Sequence, residues 1–194
     1  VGLVRRKPEP EAEHPKPSVE QLDDPDPEHR RQAALGLEGV AEAVPALLDR
    51  VAAEREPQVR DAMLTTLAAV DSPAVAEALA GHLASDDAAL RTAVAEALAT
   101  MPVSVPAIMP GLLTDPDHRV RVMTAMILAD LPHPASLMWL SDMIRDDPHP
   151  NVVAAAIDAL LPSAGPQHAE LLRGAARRFP DDPFLRFTVD AALR

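Results

Sequence analysis

Asp115-Pro116-Asp117-His118-Arg119-Val120-Arg121-Val122-Met123-Thr124-Ala125-Met126-Ile127-Leu128-Ala129-Asp130-Leu131 is the stretch that decides the fold. It opens on an acidic turn that carries a proline. Arg121 follows as an anchor, and apolar residues then recur at the spacing of one helix face as far as Leu128. Variants of the phrase appear five more times. The anchor falls at Arg30, Arg60, Arg91, Arg121 and Arg186, and Val153 takes the slot in the fifth copy. The leucine seven places further on is present in every copy, as Leu37, Leu67, Leu98, Leu128, Leu160 and Leu193.

The anchors recur every 30 to 33 residues, which leaves room for a second helix in each copy. The pattern predicts these helices over 44–53, 74–84, 105–113, 135–144 and 167–178. Pro45, Pro73, Pro106, Pro134 and Pro166 mark their starts, where the first turn has no intrahelical N–H bond to lose. Pro110-Gly111 lies inside the third, where a kink or early break is expected. Carboxylates in the turns can cap the anchor helices and oppose their positive ends. Two antiparallel helices per copy cannot bury their apolar side alone, so neighbours must stack. The expected fold is all-α: a right-handed α-α superhelix, or α-solenoid, of about six two-helix repeats, the first incomplete. It spans 18–194. Residues 1–17, with Pro8, Pro10, Pro15 and Pro17 and no periodicity, read as a flexible tail rich in proline and charge. Its tip, Val1, Leu3 and Val4 beside Arg5, Arg6 and Lys7, has the make-up of a short docking peptide.

Asp-Pro-Asp-x-x-Val-Arg-x-x-Ala-x-x-Ala-Leu is the phrase seen in HEAT repeats of the short type named after phycobilisome lyases. Asp115 to Leu128 resembles it closely, with Val120 and Arg121 in the Val-Arg slots, and the resemblance extends from Ser18 to Arg194. It implies that turn carboxylates and anchor arginines bond between adjacent repeats, a structural role for all five arginines. Val153 breaks that ladder, so its interface should be softer or compensated by apolar contacts. The resemblance also implies that the anchor helices line a concave face.

Composition narrows the function. The net charge of −12 repels phosphate backbones, so nucleic acid is not the expected partner. There is no cysteine, which excludes disulfides, thiolate metal sites and cysteine nucleophiles and suits a reducing compartment. No apolar run reaches the ~18 residues of a membrane span, and the chain reads as cytoplasmic. Alanine and arginine use suggests a bacterial source. No two of the seven histidines have the helical spacing of a metal pair, and His118 and His149 read as solvated turn residues. HEAT-like deoxyhypusine hydroxylases need His-Glu pairs, and this chain has none. No catalytic, cofactor-binding or metal-binding residues are assigned.

What remains is a contact surface. With the anchor as position 1, a helical wheel sends positions 2, 3, 6 and 9 outward. Copies one to three place mostly polar or small residues there, whereas copy four presents Val122, Met123 and Met126. An exposed apolar cluster usually marks a contact site, and methionine suits adaptable protein surfaces. Trp139, the one tryptophan, and Phe187 on the last helix complete the candidate protein-binding set. The expected function is a non-enzymatic scaffold that holds a protein or peptide, a regulatory or assembly subunit of a larger complex. The alternative, from the family resemblance, is a subunit of a phycobilin-type chromophore lyase or cofactor chaperone. Phe184, Leu185 and Phe187 at the C-terminal end also suggest self-association there.

Overall fold

The computed structural model describes residues 17–193, and these hold eleven α-helices, four short 3-10 segments and no strand. Five hairpins run in chain order: α1 (Pro27–Gly36) with α2 (Val44–Val51), α3 (Pro57–Val70) with α4 (Pro73–Ala80), α5 (Ala88–Ala99) with α6 (Val105–Leu113), α7 (His118–Asp130) with α8 (Ser136–Asp146), and α9 (Pro150–Leu160) with α10 (Ala169–Arg178). α11 (Pro183–Ala192) is a sixth anchor helix without a described partner. Among the described residues α1 is preceded by a 3-10 turn over Val19–Asp23. The tail expected over 1–17 lies outside the described residues except for Pro17, which packs on α1 so closely that any side chain at Gly36 would strike it.

The local chemistry explains the helix starts. Asp26, Asp87, Asp117 and Asp182 each cap an anchor helix, accepting backbone N–H bonds from Glu28, Ala89 and Leu90, Arg119, and Leu185. His149 does the same for α9, its ring accepting from the Asn151 N–H at 3.2 Å. α6 does not break at Pro110 but continues to Leu113, so the expected early break is absent. At the end of α3, Asp71 takes φ 39°, a conformation rarely adopted outside glycine. Its side chain then accepts the N–H groups of Val103 and Ser104 at 3.1 and 3.0 Å, tying α3 to the start of α6 one repeat on.

Anchor helices pack in one row, α1 on α3, α3 on α5, α5 on α7, α7 on α9 and α9 on α11. The second helices form another row, α2 on α4 on α6 and α8 on α10, with α6 and α8 less closely joined. Between the rows runs one continuous core. Leu37, Leu67, Leu98, Leu128 and Leu160 are all buried in it, while Leu193, at the last position of the series, is 36% exposed.

Candidate functional site

Two systems of residues stand out: a polar ladder along the turns and a groove on the open face of the anchor row. In the ladder, each arginine of the first four copies reaches back to the backbone carbonyl six residues earlier: Arg30 to Asp24, Arg60 to Glu54, Arg91 to Ser85 and Arg121 to Asp115. Arg30 also grips Glu54 with two bonds of 2.9 and 3.0 Å, and Arg121 grips Asp147 with two of 2.7 and 3.1 Å. These carboxylates belong to the next turn, so each pair spans two repeats. Such forked pairs are geometrically selective. Burial pushes the Glu54 carboxyl up, but the Arg30 guanidinium and the amides of Glu56 and Arg55 outweigh it and hold it below the usual range. The Arg121 guanidinium is held above its ordinary value by its bond to Asp147, against the opposing effect of burial. Arg60 reaches Asp87 at 3.3 Å, with a buried Nε that has no partner.

The fifth turn departs from expectation. Val153 is fully buried, yet the turn is not left to apolar contact alone. Arg178, at the end of α10, donates to the carbonyls of Ile144, Arg145 and Asp147. Asp147 is six residues before Val153, so Arg178 delivers to that carbonyl the bond an anchor arginine would have made. Arg186 is exposed and makes no such bond among the described residues, which removes it from the structural ladder.

The groove lies across α5, α7 and α9 and has a volume of about 440 Å³. Val122 and Met126 line it above a floor of Ala95, Ala129, Ala155 and Ala159. Met126 is 40% exposed and Val122 half-buried. Met123 is 7% exposed and does not belong to the surface, contrary to the helical-wheel expectation. Ala62, in the same position of the second copy, is likewise buried at 5%. A wheel drawn for one helix cannot register the helix stacked beside it. Phe187 is 64% exposed and occupies the same register in α11 that Val122 holds in α7. Trp139 is on the other row. It is half-buried, stacked on His133 at 5.1 Å, and lines a separate cavity of about 310 Å³ with Asp115, Asp142 and Asp146. The five candidate residues are thus not one site: Val122 and Met126 share a groove, Phe187 continues its row, and Met123 and Trp139 lie elsewhere.

His118 and His149, in adjacent turns, stack face to face with centroids 3.9 Å apart and planes 7° from parallel. Parallel rings do not converge on a metal, and among the described residues no group of three or more His, Asp or Glu side chains could hold one.

The family description "HEAT repeats" matches residues 15–99 and 105–194. The chain belongs to the HEAT-repeat family. No curated protein sequence matches it. Similar solved structures include human deoxyhypusine hydroxylase in complex with glycerol, at 18% identity, TM-score 0.40, and coverage of 90% of this HEAT-repeat chain and 81% of that one. The complex of CpcE and CpcF of phycocyanin lyase from Nostoc is similar at 15% identity, TM-score 0.38, and coverage of 97% and 100%. An engineered protein is similar at 18% identity, TM-score 0.39, and coverage of 90% and 93%.

Proposed function

We propose that this HEAT-repeat protein is a non-enzymatic scaffold, a regulatory or assembly subunit of a bacterial complex, and that it holds a partner protein on the open face of α7, α9 and α11. One observation carries the reading. At position 2 of successive anchor helices the residues run Arg31, Asp61, Thr92, then Val122, Ala154, Phe187. The first three are polar and the last three apolar; Ala154 is buried at 3%, so the apolar surface here is half-buried Val122 and Phe187, which is 64% exposed. Apolar surface concentrated on one half of an otherwise acidic face is a docking signal. No helix among the described residues is long and apolar enough to cross a membrane.

Site-specific photocrosslinking tests the reading. A crosslinking side chain at Met126 or Phe187 should capture a partner in native extract, whereas one at Asp61 or Thr65, on the polar half, should not. Equal capture at all four positions, or none, would sink it. The alternative, a chromophore-lyase subunit, predicts a pigment spectrum when the purified protein is mixed with a bilin, and that result would replace the scaffold reading.

A further inference from the structure

The groove has a second property that a docking surface does not need. Glu96, Asp130 and Asp158 stand around its apolar floor. Among the described residues none of the three has an ion-pair partner, whereas Glu54, Asp87 and Asp147 along the turns are all matched to arginines. Asp158 lines the groove with its side chain exposed, and partial burial pushes its carboxyl above the ordinary value. The floor is built of alanines, which let another chain approach closely. We infer that the occupant is a basic polypeptide segment from another protein, with one or more apolar anchors seated beside Met126 and lysines or arginines facing Glu96, Asp130 and Asp158. The inference rests on the docking reading above and adds the chemistry of the partner. A strongly acidic overall charge favours the encounter with such a segment and opposes nucleic acid and anionic lipid.

The probe is a fluorescently labelled synthetic peptide of leucine, alanine and lysine with leucines on one side, read by anisotropy against the full chain. Two counterparts replace every lysine with glutamate or every leucine with serine. The lysine peptide should bind and weaken as salt rises. Both counterparts should bind at least about tenfold more weakly. The double substitution Asp130→Asn with Asp158→Asn should weaken the lysine peptide by about tenfold and flatten its salt dependence. Met126→Ser should weaken binding and leave the salt slope unchanged, which separates the apolar contribution from the ionic one. These positions are on the surface, and circular dichroism verifies that the variants keep their helices.

Equal binding of the lysine and glutamate peptides, or unchanged binding to the double variant, overturns the inference. If photocrosslinking at Met126 still captures a partner in that case, the docking reading survives and only the stated chemistry falls. Residues 1–7 of this chain, Val-Gly-Leu-Val-Arg-Arg-Lys, have a related make-up. Reversing Arg5, Arg6 and Lys7 to glutamate in the full chain should therefore leave peptide affinity unchanged. A rise of about tenfold would show that this segment competes for the groove, and would also overturn the assignment to a foreign partner. A Met126 methyl signal that shifts with protein concentration alone would give the groove to a second copy and overturn that assignment in the same way.

Discussion

The fourth and fifth turns are neighbours that meet one demand in two ways. At the fourth, Arg121 comes from the helix that the turn itself opens, and it reaches both its own turn at Asp115 and the next at Asp147. At the fifth, the helix supplies Val153, and the guanidinium arrives from Arg178 on the following second-row helix. At both turns a guanidinium reaches the backbone carbonyls, and it need not come from the same position in the chain. The two solutions differ in burial. Arg121 and Asp147 are 9% and 8% exposed, whereas Arg178 is an exposed residue. The fourth turn should therefore be the more costly to disturb.

Arg121→Met gives the largest expected effect. It leaves Asp147 buried without its charge partner, and loss of about 3 kcal/mol is expected in chemical denaturation, near the lower figure for breaking a buried pair. Val153→Arg comes next. It forces a long side chain into a filled site whose carbonyl is already taken, at a cost of about 2 kcal/mol. The same substitution in an Arg178→Ala background should cost less, and a double-mutant cycle measures the difference. Additive effects would break the claim that the two positions serve one carbonyl. Arg178→Ala alone should destabilise by about 1 kcal/mol, since water can take up part of the exposed bonding.

The smallest effect concerns pH and the same two turns. Burial, and then the neighbouring His118 ring, hold His149 below its ordinary value of 6.5. Because the folded value is the lower one, the unfolded chain binds more protons as pH drops. Stability from this source is complete above about 6.5 and is lost as pH falls through that value toward the folded one. His149→Asn keeps a cap for α9 and removes this titration, so its melting temperature should fall less between pH 7 and pH 5.5 than that of the parent protein. An identical fall in both would sink the argument.

The repeat pattern made most of the architecture legible. A leucine every 30 to 33 residues, acidic turns and prolines at helix starts are local signals; they located the helices, and five of the six repeat leucines are buried. Met123 was misplaced because its burial depends on the next helix in the row. A signal did exist, for copies two, three and five carry Ala62, Ala93 and Ala155 at that position. Arg178 was not legible in the period, since it enters from outside the repeated phrase. The empty slot at Val153 asked for a cation, and the arginines ending α10 were the available answer. The acidic rim of the groove was invisible for another reason. Glu96, Asp130 and Asp158 come from three copies and from different positions of the repeat.

Position 5 of the anchor helix is Ala34, Leu64, Ala95, Ala125 and Ile157 in the first five copies, all buried, and Asp190, exposed, in α11. A stack whose joints are all alike carries a hazard, because whatever joins layer to layer could join molecule to molecule into fibres. Seating another layer on α11 through this position would strip water from the Asp190 carboxylate, a cost the aliphatic residues of the other five copies do not carry. The position that joins the other layers by aliphatic contact thus carries a desolvation cost in this one.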